Sequence, residues 1–131
     1  YLPEAADPPG FLRADELWAL VAASRGVAPP EPALRAALGL DELAALSIER
    51  MSLGQRRRAC LGAALLAAPA LLVLDEPDNG LDARRLDALA ELITAHAAAG
   101  HACLLASHDG ALLARVDARL VSLDAPSAAG A

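Results

Sequence analysis

Two acidic residues stand side by side where a short apolar run ends. The run from Leu71 to Leu74 is followed directly by Asp75 and Glu76. Such a run predicts a buried parallel strand, and ligands bind at the carboxyl ends of parallel strands. Because successive strand residues point to opposite sides, one carboxylate can hold a hydrated Mg²⁺ while the other faces an attacking water. The plain alternative is an acidic turn that ends a strand.

A second candidate site is the start of a predicted helix. Ser52 and Gln55 have the spacing of a capping box, in which each side chain bonds the other residue's main-chain amide. A helix N-terminus with a serine and a glycine, here Gly54, is also an anion-binding site. Both interpretations remain open. The three arginines that follow, Arg56 to Arg58, are interpreted as a solvated helix face.

Two shorter motifs follow the acidic pair. Asn79-Gly80 predicts a turn, and Asp82 is placed to cap the next helix. His108 follows the apolar run from Ala102 to Ala106, so it is expected at the same sheet edge as the acidic pair, where a γ-phosphate could be contacted.

Composition excludes several kinds of chemistry. All 11 basic residues are arginine, so neither Schiff-base chemistry on a lysine nor a P-loop lysine is possible within this stretch. A net charge of −6 and an aromatic content of 2% argue against a nucleic-acid partner. Cys60 and Cys103 lie in apolar runs and are predicted to be core thiols, not a disulfide. His96 and His101 are predicted to lie on the surface.

The periodicity predicts an α/β fold with a parallel sheet. Two short helices are expected in the first third, one around Leu17 and one around Leu34 and Leu38. The later elements are helices over 52–67, 82–98 and 109–116, and strands over 71–74, 102–106 and 120–123.

Taken in order, these motifs resemble the second half of the nucleotide-binding domain of ABC transporters. The family has a signature loop, a Walker B strand, a D-loop and a switch histidine in this order, and Asp75 follows Ser52 by 23 residues as in the family. The opening Tyr1-Leu2-Pro3-Glu4 is similar to the segment around the Q-loop. The resemblance covers residues 1 to about 123.

The resemblance implies a fold and an activity. The fold is a P-loop NTPase-like parallel sheet with a helical subdomain, N-terminally truncated. Residues 1–68 form the Q-loop segment, helical subdomain and signature helix, 69–124 the catalytic core and 125–131 a tail. The activity is ATP hydrolysis coupled to transport, at the cytoplasmic face of the membrane as a peripheral subunit. The partners are a transmembrane permease and a second nucleotide-binding domain, identical or different.

The resemblance also implies residue roles. Asp75 helps hold Mg²⁺, Glu76 polarises the hydrolytic water and His108 contacts the γ-phosphate of ATP. Glu4 senses the site and Asp82 contacts the opposing domain. At the partner's ATP, the candidate binding residues are Ser52, Gly54 and Gln55.

The sequence departs from the family pattern at identifiable positions. Leu53 replaces the first glycine of the signature loop, Asp78 stands where threonine or serine is usual, and Glu4 stands where glutamine is usual. The Walker A loop is expected upstream of Tyr1, so the chain alone is expected to be inactive. The alternatives are a non-catalytic assembly or regulatory piece, and a soluble ABC ATPase of translation or DNA repair.

Overall fold

A computed structural model describes residues 1–121 of the 131-residue chain. Five α-helices and two strands are present in this part, together with a short 3₁₀ turn at Ile48–Arg50. In chain order they are α1 (Ala14–Arg25), α2 (Pro32–Leu38), α3 (Leu53–Ala64), β1 (Leu71–Asp75), α4 (Ala83–Ala98), β2 (Ala102–Ala106) and α5 (Gly110–Arg115).

The two strands form a parallel pair, as predicted. Their register runs from Leu71 opposite Ala102 to Asp75 opposite Ala106. On the other side of β1, Leu2 makes a single parallel bridge to Leu74. Three chain segments therefore run side by side in one direction, and their carboxyl ends share one edge.

Helix α4 provides the crossover between the strands. It begins after Asp82, whose Oδ1 accepts from the Arg85 amide at 2.9 Å, as the capping prediction requires. Its buried residues include Leu89, Ile93 and His96, which recur every three or four positions and so lie on one helix face. The prediction that His96 lies on the surface is therefore wrong. Its ring lies beside that of His101, with the centroids 5.0 Å apart and the two planes tilted by 33°.

Helix α3 is shorter than predicted. It ends at Ala64 instead of Ala67, and both Ala67 and Ala68 have positive φ, 63° and 39°. Pro69 follows, and proline disfavours helical backbone in the residue before it. The chain thus leaves the helix one turn early and turns into β1.

The core joins the helices to the sheet. Trp18 of α1 donates its indole N–H to the Ala59 carbonyl of α3 at 2.9 Å, and Leu38 and Leu61 are fully buried between helices. Leu72 continues the same core beneath the sheet. Other buried members include Leu34, Leu40, Leu43, Ile48, Leu74, Leu89 and Leu112.

Cys60 and Cys103 are free thiols, buried and half-buried, which confirms the core interpretation. Burial raises the pKa of both thiols above the ordinary value. Both groups are therefore less easily ionised than an exposed cysteine.

The remaining sequence predictions concern the C-terminal part. Leu120 and Val121 carry no strand, and both are exposed. The rest of the predicted strand over 120–123 and the predicted tail over 125–131 lie outside the described residues. The division of the chain after Ala68 stays a prediction. Over residues 1–121, no helix has both the length and the apolar character needed to cross a membrane.

Candidate functional site

The carboxyl edge of the sheet gathers the predicted catalytic residues. Asp75 ends β1 and pairs with Ala106, the last residue of β2. The Glu76 amide donates to the Ala106 carbonyl at 2.8 Å, and the Asp75 amide donates to the Leu2 carbonyl at 2.9 Å. Residues that follow these three segments therefore emerge next to one another.

Glu76 and His108 meet at this edge. Nε2 of His108 lies 3.4 Å from Oε1 of Glu76. The Glu76 side chain is 14% exposed, whereas that of His108 is 96% exposed. A sheltered carboxylate beside an accessible imidazole can receive a proton from a water molecule while the imidazole contacts a bound anion.

Glu76 has a strained backbone. Its φ is +46°, in the left-handed region that non-glycine residues rarely adopt, at a cost of about 1–3 kcal/mol. The Asn79 amide donates to the Glu76 carbonyl at 3.3 Å, closing the turn after β1. The surrounding hydrogen bonds thus hold a conformation that aims the carboxylate toward His108.

Asp75 is suited to be one of several ligands of a Mg²⁺ ion. In the described part of the chain, its carboxylate has no hydrogen-bond partner. The same residues contain no group of three or more His, Cys, Asp or Glu side chains that could hold a metal ion. Mg²⁺ typically keeps several waters and takes one or two carboxylates together with substrate phosphates. A single carboxylate at a sheet edge suits this mode of binding and does not form a closed protein cage.

A polar link joins the loops after β1 and β2. The Ser107 hydroxyl donates to Oδ1 of Asp78 at 2.7 Å and accepts from the Asp109 amide at 2.9 Å. Oδ1 of Asp109 in turn accepts from the Ala111 and Leu112 amides in the first turn of α5. Asp78, a departure from the family pattern, therefore helps to fix the loop that carries His108.

The start of α3 is the predicted capping box. The Gln55 amide donates to Ser52 Oγ at 3.2 Å, and the Ser52 amide donates to Gln55 Oε1 at 2.9 Å. Gly54 approaches the turn before α4 so closely that a Cβ there would lie 2.1 Å from the Gly80 carbonyl oxygen. Leu53 beside it is 68% exposed. The capping box and the glycine thus have structural roles that require no ligand.

The remaining predicted site residues lie around this edge. Asp82 caps α4 and is exposed, and Glu4 is exposed on the segment that follows Leu2. The structure brings Asp75, Glu76 and His108 to one edge. It places Ser52, Gly54 and Gln55 together at the start of α3.

Sequence reasoning missed Arg57. The interpretation of Arg56 to Arg58 as a solvated face is wrong at Arg57, which is only 4% exposed and donates to carbonyls at the sheet edge. It is also wrong at Arg58, whose side chain is 12% exposed. The available signal was its spacing: Arg57 stands four residues before Leu61 and seven before Ala64, both buried. These positions share one helix face.

A comparison with protein families gives the class of the domain. A family model described as "AAA domain, putative AbiEii toxin, Type IV TA system" matches residues 11–114, most of the chain. The chain belongs to this family of AAA-type domains. The relatives named below are ATP-binding proteins, and the name of one of them is that of an ABC transporter, in agreement with the resemblance.

The named relatives are longer than this chain. It is 37% identical over 124 residues to the cytochrome c biogenesis ATP-binding export protein CcmA of Zymomonas mobilis, covering 95% of this chain and 55% of that protein. It is 39% identical over 123 residues to a putative ABC transporter ATP-binding protein of Streptomyces avermitilis, covering 91% of this chain and 22% of that protein. The chain thus spans about half, or less, of these relatives.

A solved structure confirms the fold class. The ATP-binding subunit of an ABC transporter superposes with a TM-score of 0.81 at 27% identity, over 88% of this chain and 50% of that chain. The α/β fold, with its parallel sheet and packed helices, is therefore that of an ABC ATPase subunit.

Proposed function

We propose that the intact protein carrying this chain binds and hydrolyses ATP as the ATP-binding subunit of an ABC transporter. One observation carries the proposal: a sheltered Glu76 faces His108 at the edge where Asp75 also emerges. The names of the relatives support ATP as the nucleotide. The chain spans only part of those relatives, and the proposal therefore includes further nucleotide contacts from the intact protein.

The proposed chemistry is phosphoryl transfer to water. Glu76 accepts a proton from the attacking water, whose oxygen forms a bond to the γ-phosphorus while the bond from the γ-phosphorus to the bridging oxygen of ADP breaks. His108, which is accessible, contacts the γ-phosphate. Such reactions depend mainly on positioning and on electrostatic stabilisation of charge.

Asp75 is the proposed Mg²⁺ residue and would hold the ion through water. When bound, Mg²⁺ neutralises phosphate charge and orients the phosphates. Glu4 is proposed to sense the site. Its exposed position beside the carboxyl edge suits contact with a second protein.

The partners follow from the same proposal. Ser52, Gly54 and Gln55 are proposed to face the ATP of a second nucleotide-binding domain, which Asp82 also contacts. A transmembrane permease is the proposed second partner, and the cytoplasmic face of the membrane the proposed location. Coupling of hydrolysis to transport rests on the names of the relatives, and the acidic net charge of −6 gives no support to a nucleic-acid partner.

The test is Glu76→Gln in the intact protein. Glutamine is nearly the same shape but cannot accept the proton, so we expect ATP turnover to fall roughly 10²–10⁴-fold. Mg-ATP binding, measured by calorimetry, should stay close to that of the parent because Asp75 is unchanged. A variant that retains more than about a tenth of the parent rate would show that Glu76 is not the base.

A matched control is Glu91→Gln. Glu91 is an exposed glutamate on α4, away from the sheet edge. We expect its turnover to equal that of the parent. No turnover by the parent protein under any condition that permits Mg-ATP binding would favour the alternative of a non-catalytic assembly piece.

A further inference from the structure

Arg57 is a buried cation whose hydrogen bonds all reach main-chain carbonyls. Its Nε donates to Glu76 at 3.1 Å, and one terminal nitrogen donates to Pro3 at 2.8 Å and Glu4 at 3.2 Å. The other terminal nitrogen donates to the carbonyls of Asp75 and Glu76. One guanidinium thus contacts two segments of the carboxyl edge at once.

The charge of Arg57 has no carboxylate in direct contact among the described residues. Burial lowers the pKa of the guanidinium, and nearby negative groups, including Asp78 and Asp75, offset part of that effect. An arginine remains charged even so. Four carbonyl oxygens therefore accept hydrogen bonds from one positively charged group that is sheltered from solvent. Hydrogen bonds from a charged donor are stronger than those between neutral groups.

Two of these carbonyls belong to the strained turn. Glu76 holds a φ of +46°, and its carbonyl accepts from two nitrogens of Arg57. Without the guanidinium, we expect the turn to relax toward ordinary backbone, which would change the position of the Glu76 carboxylate relative to His108. A strained conformation persists only where its surroundings hold it.

Helix α3 connects Arg57 to the capping box at Ser52. Ser52 caps α3 five residues earlier, about 7.5 Å along the helix axis. A rigid helix transmits any displacement at its start to Arg57, and Arg57 contacts both the Glu4 segment and the acidic turn. The start of α3 and the carboxyl edge are thereby connected through one side chain.

We propose that Arg57 is a positioning residue for ATP hydrolysis. It holds the Asp75–Glu76 turn and the Pro3–Glu4 segment in a fixed position relative to the capped start of α3. It contacts no reacting atom. Its action is indirect, through the backbone on which Glu4, Asp75 and Glu76 stand. This inference rests on the proposed function, but its structural part can be tested without turnover.

The first test compares Arg57→Met with Arg58→Met in the intact protein. Arg58 is the control: it lies on the same helix, its side chain is 12% exposed, and it donates to the carbonyls of Leu38 and Gly39 at 3.1 Å. Unlike Arg57, it also pairs with a carboxylate, that of Glu42. We expect Arg57→Met to lower kcat roughly a hundredfold while KM for ATP changes less than about threefold. We expect Arg58→Met to retain the kcat of the parent within about threefold.

The second test is hydrogen–deuterium exchange of the same variants without nucleotide. Arg57→Met should speed exchange at residues 2–6 and 75–79, whereas Arg58→Met should speed it at residues 36–42. Identical exchange in the two variants, or unchanged exchange at 75–79 in Arg57→Met, would overturn the inference. A parent protein that does not hydrolyse ATP contradicts the proposed function, and the exchange pattern still decides whether Arg57 holds the turn.

A milder variant covers the case in which Arg57→Met does not fold. Arg57→Lys keeps the charge, but a single ammonium group cannot replace the three nitrogens with which the planar guanidinium contacts these carbonyls. We expect it to fold, to lose most of kcat and to show faster exchange at residues 75–79. Full kcat with parental exchange in Arg57→Lys would overturn the inference as well.

Discussion

Gly54 is a residue whose packing role can be measured apart from any role in binding. A Cβ at this position would lie 2.1 Å from the Gly80 carbonyl oxygen, so Gly54→Ala must displace backbone. We expect the free energy of unfolding to fall by about 1–3 kcal/mol, measured by urea denaturation of the intact protein.

The control is Gly110→Ala. A Cβ there meets no atom within 4 Å, and Gly110 does not have a positive φ. This variant should be as stable as the parent or more stable by about 0.4–1 kcal/mol. If Gly54→Ala were equally stable, the close approach of Gly54 to the Gly80 carbonyl would not exist in solution.

Side-chain burial was the least predictable feature at this scale. Charged and titratable residues are mostly exposed, so the sequence favoured solvent for Arg57 and His96, and both are buried. Only their spacing to apolar neighbours on the same helix indicated that these two residues are buried. The carbonyls that accept from Arg57 come from segments far away in sequence, and no local pattern reveals them.

At the scale of elements, Ser107 joins the two loops of the sheet edge. Ser107→Ala removes the donor to Asp78 and the acceptor for the Asp109 amide, leaving partly buried polar groups without partners. We expect the free energy of unfolding to fall by about 1–3 kcal/mol, measured by thermal or urea denaturation. Turnover should fall too, because the loop that carries His108 loses a restraint.

An exposed ion pair provides the comparison for Ser107→Ala. Asp87 of α4 contacts Arg115 of α5 at 3.0 Å, with both side chains about half exposed. Exposed pairs contribute ~0–1 kcal/mol, so Asp87→Ala should change stability little. If Ser107→Ala lowered the free energy of unfolding no more than Asp87→Ala does, the link between the loops would contribute little to stability.

Elements with clear boundaries were predicted well. The strand over Ala102–Ala106 has the predicted bounds. The capping box at Ser52 and the helix cap at Asp82 predicted the starts of α3 and α4 within one residue. The end of α3 was missed because alanine favours helix, while Ala67 and Ala68 adopt left-handed backbone before Pro69.

At the scale of the whole molecule, the order of the motifs was enough to predict the fold class. The pairing of Leu2 beside β1 was not predictable, because it is a single bridge between residues at distant positions and has no strand pattern of its own. Leu71 and Leu104 lie on one face of the sheet, 56% and 64% exposed. An apolar run by itself predicts a strand that is buried on both faces, and these two leucines depart from that pattern.

The most direct test of the central claim is an experimental structure of the intact protein with Glu76→Gln and Mg-ATP. We predict the Asp75 carboxylate on the Mg²⁺ side, bridged by water, with His108 and residue 76 within hydrogen-bond reach of the γ-phosphate or of the water facing it. ATP bound elsewhere, or a γ-phosphate farther than about 4 Å from His108 with no water next to residue 76, would contradict the account.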